Sequence, residues 1–139
     1  TDLSPDLLQR AKHGIYSRAL LRAYAANYQA TGATGDFSSY WRTDDDNAIV
    51  RDPLRKNLLF SQHNLASDSS FNEFHLILCR NVLIYFEQPL KDRVHELIHG
   101  SLIRFGVLAL GLRESVSFSP RSESYEPIDA DLRIYRKVR

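Results

Sequence analysis

Two polar residues, Arg80 and Asn81, directly follow an apolar run and are the first candidates for chemistry in this chain. The run Leu76–Leu78 is continuous, which is typical of a strand buried on both faces of a parallel sheet. Ligands of open α/β sheets bind just beyond the carboxyl ends of the strands. The pattern therefore predicts a small-molecule rim at Arg80 and Asn81, completed by Tyr85. The alternative is that Arg80 and Asn81 only satisfy a buried strand–helix corner.

Two other sets of reactive side chains favour structural roles. His95 and His99 lie four residues apart on a predicted helix, but no third ligand accompanies them, so we expect a solvated helix face and no metal site. Cys79 is the only cysteine. It lies in the buried run, so we expect it to pack as a small hydrophobe rather than act as a nucleophile. A single cysteine also favours a reducing, cytoplasmic setting.

Composition excludes several classes of partner. The chain has 139 residues, enough for one globular domain, and a net charge of +1 that gives no general attraction to nucleic acid. No apolar run approaches the roughly 20 residues that span a bilayer, so we predict no membrane insertion. The sequence contains no methionine and opens on Thr1. We therefore expect it to be part of a longer protein.

The N-terminal residues predict a strand end followed by a helix. Asp2 would close the strand, Ser4 would cap the helix, Pro5 would take its first position, and the helix would stop near Gly14. An acidic residue at this place holds the ribose in Rossmann-like folds. The alternative for Asp2 is a capping carboxylate.

The middle of the chain predicts a small antiparallel β-subdomain at about 36–62. A helix over 17–29 precedes it. Residues 37–42 alternate aromatic and polar side chains, as in an exposed strand, and residues 48–50 could return as the hairpin partner across an acidic turn. Residues 58–62 indicate a further strand.

The C-terminal half alternates helix and strand, which indicates an α/β fold. A long helix begins after Glu87, and Gly106 ends that helical segment. Residues 107–112 predict a second apolar strand, and residues 125–128 and 132–138 a closing antiparallel pair. The helix has one apolar stripe at helical spacing: Leu90, Val94, Leu97, Ile98 and Leu102.

The string Cys79-Arg80-Asn81-Val82-Leu83-Ile84-Tyr85-Phe86 closely resembles the signature of the CheR-type chemotaxis receptor methyltransferases. These enzymes methylate glutamate side chains with S-adenosyl-L-methionine (SAM). Residues 1–4 and 11–16 are similar to the same family, and Gly111 to Ser115 resembles its Gly-x-x-Glu-Ser segment. The resemblance covers essentially the full chain.

The resemblance implies a Rossmann-like class I SAM-dependent methyltransferase fold with a small antiparallel β-subdomain insertion. Such folds have a seven-stranded, mostly parallel sheet with helices on both faces. The family's glycine-rich loop and N-terminal helical domain are absent, so the fold would be incomplete at its N-terminal side. We therefore expect residues 1–139 alone to bind SAM weakly or not at all, and to be inactive.

The resemblance also implies a role for each site residue. Asp2 would hold the ribose, Asn64 and Leu65 the adenine, and Arg80 with Asn81 the methionine side of SAM. Tyr85 would stand at the methyl-transfer site, with packing at the strand end as its alternative role. A glutamate carboxylate would attack the sulfonium methyl, giving a methyl ester and S-adenosyl-L-homocysteine.

The implied partner is the cytoplasmic domain of a methyl-accepting receptor. In some family members the β-subdomain also captures a receptor tail as an added strand. The chain departs from the family at His75, where Asp is usual, and at Leu112-Arg113, where chemotaxis members often have His-Ser. These departures count against a receptor-chemotaxis role more than against methyltransferase ancestry. The alternative function is a non-catalytic methyltransferase-like docking or regulatory module in signalling, and a degenerate glycine-rich loop upstream would favour it.

Overall fold

The computed structural model describes residues 1–70 and 72–139, which divide into two compact units, Thr1–His63 and Asn64–Arg139. The first unit contains a three-stranded antiparallel sheet and the second a four-stranded mixed sheet. This combination confirms the predicted α/β class with a separate small antiparallel sheet. Within the two described ranges, no helix has the length and apolar character that crossing a bilayer requires.

The first helix of the first unit forms as its end residues predict. Ser4 Oγ accepts a hydrogen bond from the Leu7 N–H at 3.4 Å, and Pro5 opens the helix. Gly14 ends it at φ +64°, a left-handed conformation that glycine adopts at little cost, and its N–H donates to the carbonyl of Ala11. The helices of this unit are α1 (Pro5–His13), α2 (Leu21–Ala30) and α3 (Asp52–Arg55), with 3₁₀ turns at Arg18–Leu20 and Phe37–Tyr40.

The small sheet has the order β1-β3-β2, with β1 (Ile15–Ser17), β2 (Trp41–Thr43) and β3 (Asn47–Val50). The predicted hairpin between the second and third of these strands is confirmed. The strand predicted over 37–42 is wrong for its first four residues, because Asp36 Oδ1 accepts from the Ser38 N–H at 2.9 Å and starts a 3₁₀ turn there. The third strand of the sheet, β1, lies upstream of the predicted segment 36–62 and pairs with β3.

The strand predicted at residues 58–62 is wrong as a continuous element. Only one isolated parallel bridge forms there, between Asp2 and Gln62. The Asp2 N–H donates to the Ser61 carbonyl at 3.4 Å, and the His63 N–H donates to the Asp2 carbonyl at 3.0 Å. The bridge nevertheless fixes the backbone of Asp2 on both of its sides.

The second unit contains one long helix and four strands. Strands β4 (Phe74–Cys79) and β5 (Leu102–Leu110) are parallel, and the helix α4 (Gln88–Ser101) connects them. The closing antiparallel pair is confirmed as β6 (Tyr125–Asp129) and β7 (Ile134–Lys137), and the strand order is β4-β5-β7-β6. The predicted end of the helix at Gly106 is wrong, because α4 ends at Ser101. Leu102 therefore belongs to β5 and not to the apolar stripe of the helix.

The core of the second unit lies on one face of the mixed sheet. Leu108 and Leu110 of β5 are fully buried and cluster with Val94 and Ile98 of α4. The expectation that β4 is buried on both faces is wrong, since Leu76 and Leu78 are 55% and 67% exposed. Ile77 and Cys79 alternate with them toward the core. Helix α4 therefore covers one face of this strand, and the described residues leave the other face open.

Candidate active site

The Glu114 carboxylate joins the carboxyl ends of the two parallel strands. Its Oε1 accepts the N–H groups of Val82 at 2.8 Å and Leu83 at 2.7 Å, and its Oε2 accepts those of Asn81 at 2.9 Å and Gly111 at 2.6 Å. Three of these donors follow β4 and the fourth follows β5. A single side chain, only 5% exposed, therefore fixes both strand ends.

This arrangement keeps Glu114 ionised. Burial alone would raise its pKa, but the four backbone N–H groups favour the carboxylate and together hold the pKa below its ordinary value. Gly111 permits the close approach, because a Cβ there would lie 2.5 Å from Asn81 Oδ1 and 2.7 Å from Glu114 Oε2. The corner therefore depends on a buried charge and on the absence of one side chain.

Asn81 turns the chain out of β4. Its φ of +59° is left-handed, a conformation that asparagine adopts more readily than most residues. The backbone of Asn81 therefore supports its alternative role at the strand–helix corner, since it makes the turn and its N–H donates to Glu114. Arg80 differs, because it is exposed and its guanidinium has no hydrogen bond or ion pair within the described residues. The corner does not use that cation, which stays available for an anionic or polar ligand.

Tyr85 follows on a short 3₁₀ helix, Leu83–Tyr85, with its side chain 80% exposed. Leu83 anchors this turn because it is buried in the core of the unit. The exposure of Tyr85 argues against the alternative that its ring is packed at the strand end. The structure thus presents an unburied phenol four residues after the Asn81 turn.

Asn64 and Leu65 open the second unit. Asn64 Oδ1 accepts the Ala66 N–H at 2.9 Å, and its backbone N–H donates to Asp68 Oδ2 at 2.8 Å. These bonds fix the loop and leave the Asn64 side-chain NH₂ without a partner in the described part of the chain. Leu65 packs against the same core that contains Cys79 and Leu83. An amide donor beside an apolar side chain is a suitable surface for a nucleobase.

Asp2 lies in the first unit, where one of its carboxylate oxygens is already used. Its Oδ1 accepts the Ser4 N–H at 2.8 Å, so the capping role of Asp2 exists. Within the described residues its Oδ2 has no hydrogen-bond partner, and the side chain is exposed. Asp2 can therefore cap the helix entry and still offer one anionic oxygen to a hydroxyl group.

The other reactive side chains of the second unit are structural. The prediction that Cys79 is buried is confirmed, and burial, with a smaller effect of Glu114, raises the pKa of its thiol to about 11. The prediction of a solvated histidine face is wrong, because His95 is only 5% exposed and its burial lowers its pKa. Within the described residues, no three His, Cys, Asp or Glu side chains are grouped so that they could hold a metal ion.

One protein-family model matches a region that contains all of these residues. The family model described as CheR methyltransferase, SAM binding domain, matches residues 1–131. The chain belongs to the CheR methyltransferase family. The match runs through all the site residues predicted from the sequence, from Asp2 to Tyr85, and through Glu114.

Curated relatives agree with this family. A protein called Cher3 in Pseudomonas putida is 47% identical over 137 residues, which are 99% of this chain and 50% of that protein. A chemotaxis protein methyltransferase of Listeria monocytogenes is 32% identical over 116 residues, 84% of this chain and 41% of that protein. Chemotaxis protein methyltransferase 1 of Pseudomonas aeruginosa is 32% identical over 126 residues, with coverages of 86% and 42%. The chain thus spans half or less of the length of these relatives.

The role of Glu114 in this CheR-family fold does not follow from the family resemblance of the sequence. The segment Gly111 to Ser115 resembles a family motif, but the resemblance assigns no task to the carboxylate. The available signal was an acidic residue a few positions beyond the end of an apolar strand that neighbours β4. The carboxyl ends of parallel neighbours lie at one edge of a sheet, so such a residue can reach the backbone that follows β4.

Proposed function

We propose that the protein transfers a methyl group from SAM to glutamate carboxylates of a chemotaxis-type receptor, giving glutamyl methyl esters. The carrying observation is the strand-end corner at Glu114, which leaves Arg80 and Tyr85 exposed immediately beyond β4. Membership of the CheR family supports SAM as the methyl donor. The names of the Listeria and Pseudomonas aeruginosa relatives support a role in chemotaxis.

The groups offered by the chain fit the chemistry of SAM. The free oxygen of Asp2 can accept a ribose hydroxyl, and the Asn64 amide can donate to the adenine while Leu65 covers its face. Arg80 and Asn81 offer polar groups to the amino-acid end. When bound, SAM supplies a methyl group on a positively charged sulfur. These assignments match donors to acceptors and are part of the proposal.

The proposed reaction needs positioning more than proton transfer. A glutamate carboxylate has a pKa near 4.3, so the acceptor is ionised at neutral pH and requires no general base. Its oxygen forms a bond to the methyl carbon as the bond from carbon to sulfur breaks, and the sulfur keeps that electron pair. The Tyr85 phenol can orient the acceptor carboxylate by donating a hydrogen bond. Orientation of this kind can supply several kcal/mol of the rate enhancement.

The deciding experiment is transfer of a labelled methyl group from SAM to bacterial receptor cytoplasmic domains by the full-length protein. A methyl ester releases labelled methanol in alkali, whereas a methylamine keeps its label. Base-labile label in the receptor supports glutamate esterification. Base-stable label would contradict it. Binding of the receptor without any transfer would favour the alternative, a docking module.

Asp2→Asn is the matched test of the ribose assignment. Asparagine keeps the oxygen that accepts the Ser4 N–H, so the helix cap survives, but it replaces the free anionic oxygen. We expect weaker SAM binding by the full-length protein in calorimetry. Asp6→Asn, a change of equal charge in the first turn of α1, is the control. Equal affinities of the Asp2 and Asp6 variants would remove Asp2 from the site.

We also propose that a receptor tail can bind the small sheet as an added strand. Strands β1 and β2 are its two edges, so each has backbone groups that face away from β3. Such groups can pair with an extended peptide. Competition of a receptor-tail peptide with receptor capture, abolished by Thr43→Pro in β2, where the N–H faces away from β3, would support this. Receptor capture that stays the same when the peptide is added would contradict this proposal.

A further inference from the structure

A polar cavity lies within the Asn64–Arg139 unit, on the side of the Glu114 corner that faces helix α4. Its volume is about 170 Å³, and its lining combines the first turns of α4 with the segment after β5. The charged and polar side chains of the lining are those of Gln88, Lys91, His95, Arg113, Glu114 and Ser115. Ile84 and Phe118 form the exposed apolar rim.

The cations of this cavity have no partners of their own. Neither the Lys91 ammonium nor the Arg113 guanidinium has a hydrogen bond or ion pair within the described residues. Glu114 does not neutralise them by pairing, since both of its oxygens are occupied by backbone N–H groups. The nearby Asp92 accepts instead from Gln88 Nε2 at 2.7 Å. Two unpaired cations thus border a concave space.

We propose that this cavity binds a carboxylate side chain in an acidic segment of the acceptor protein, beside the residue that is methylated. The inference rests on the proposed function, in which the acceptor presents glutamate side chains to the enzyme. Arg113 offers paired N–H donors suited to a carboxylate, and Lys91 offers a second positive charge. Ile84 and Phe118 provide an apolar rim for the aliphatic part of the segment.

The size of the cavity favours this occupant over SAM. Sites for whole small molecules usually enclose about 300–1,000 Å³. A space near 170 Å³ is suited to one side chain with its hydration. The site is therefore a docking position for the acceptor and determines which acidic segments the enzyme accepts.

The first test measures binding without catalysis. A fluorescein-labelled peptide of repeated Glu-Ala-Ala units is titrated with the protein at low salt, followed by anisotropy, with a Gln-Ala-Ala peptide as comparison. We expect Arg113→Gln and Lys91→Gln each to weaken Glu-peptide binding by about fivefold, the upper range for exposed ion pairs. Arg139→Gln removes the same charge outside the cavity lining and should leave the affinity unchanged.

The second test measures methyl transfer by the full-length protein. Arg113→Gln should raise KM for the receptor while kcat and the KM for SAM stay as in the wild type. An unchanged receptor KM would overturn the docking site and leave the proposed function intact. Peptide binding that depends on Arg113 without any methyl transfer would uphold the docking site and contradict the function. Equal binding of the two peptides, or displacement by inorganic phosphate alone at equal affinity, would overturn the docking site.

Discussion

Glu114 shows how one residue can determine the geometry of the predicted active site. Its two oxygens accept four backbone N–H groups, and three of these belong to the turn that presents Arg80 and Asn81. A buried carboxylate is costly unless such donors surround it. Here the same donors would be left unpaired if the carboxylate were absent, so the charge and the turn stabilise each other.

Glu114→Gln should therefore be strongly destabilising. The amide NH₂ would replace one oxygen and face two N–H donors, which would lose their acceptor. Each unsatisfied donor costs about 1–3 kcal/mol, so we expect a loss of about 3 kcal/mol in the free energy of unfolding at pH 7. Urea denaturation measures this loss. Glu126→Gln, at an exposed position of β6, is the control and should change stability by less than about 0.5 kcal/mol.

The contribution of Glu114 should also depend on pH. Its pKa is lowered in the folded protein, so its stabilisation is complete above the ordinary value of 4.5 and is lost as pH falls below that value toward the lowered one. The difference between wild type and Glu114→Gln should then shrink at pH 3 relative to pH 7. A difference that stays constant across this range would mean that the charge of Glu114 does not hold the turn.

Gly111→Ala tests the same corner by steric means. The new Cβ would lie 2.8 Å from the Asn81 backbone nitrogen, which cannot rotate away as a side chain can. We expect a loss of about 1–3 kcal/mol in unfolding free energy, typical of overpacking. Gly100→Ala in α4 is the matched control, because nothing lies within 4 Å of its Cβ and alanine favours a helix. Equal stability of the two variants would contradict the close approach at Gly111.

The end of β4 and the candidate site residues that follow it could be predicted from the sequence, but the contacts that hold them in place could not. The string from Cys79 to Phe86 was specific enough to indicate both the strand end and the family. The link from Asn81 to Glu114 joins residues 33 positions apart, and only the pairing of β4 with β5 brings them together. Local patterns do not contain such a distance.

At the scale of elements, the apolar run of β4 was misleading about burial. Leu76 and Leu78 alternate with Ile77 and Cys79, so they lie on the face opposite α4. A continuous apolar run fits a strand covered on both faces, yet within the described residues only one face is covered. Hydrophobic pattern can predict that a strand belongs to a parallel sheet without showing which neighbours cover it.

A pair of leucine variants measures this asymmetry in residues 1–139. Leu108→Ala removes a fully buried side chain and should cost about 2–5 kcal/mol of unfolding free energy. Leu78→Ala removes a side chain that is 67% exposed and should cost less than about 1 kcal/mol, because most of its surface already contacts water. Chemical denaturation of both variants checks the ratio. Comparable costs would mean that the outer face of β4 is covered in this chain.

The same limits apply to the short elements. Ser4, Pro5 and Gly14 predict the two ends of α1 correctly, because each acts within one turn of the helix. The strand predicted at 58–62 failed because a strand also needs a neighbour, and Asp2 supplies only one bridge. The alternating residues at Phe37–Tyr40 are typical of a strand, but the Asp36 cap starts a 3₁₀ turn there instead.

At the scale of the whole molecule, the two units differ in how much they bury. Nearly all the buried apolar side chains belong to one cluster in Asn64–Arg139, built from α4, β4, β5 and the closing strands. In Thr1–His63 the described residues include one fully buried apolar side chain, that of Ala48. Burial of apolar surface is the main source of stability. The first unit should therefore open at a lower free energy than the second.

Hydrogen exchange provides a direct measurement of this difference. Amides of β4, β5 and α4 should exchange only through global unfolding, whereas those of β1, β2 and β3 should exchange through local opening at a distinctly lower free energy. Leu108→Ala should then accelerate exchange in β4 and β5 by roughly the factor that its loss of stability implies, and leave β1 to β3 nearly unchanged. Equal protection of both sheets in the wild type would show that the units unfold as one. In that case Asp2, in the first unit, would be held as rigidly as Asn81 in the second, and local order could not explain any difference between their contributions to SAM affinity.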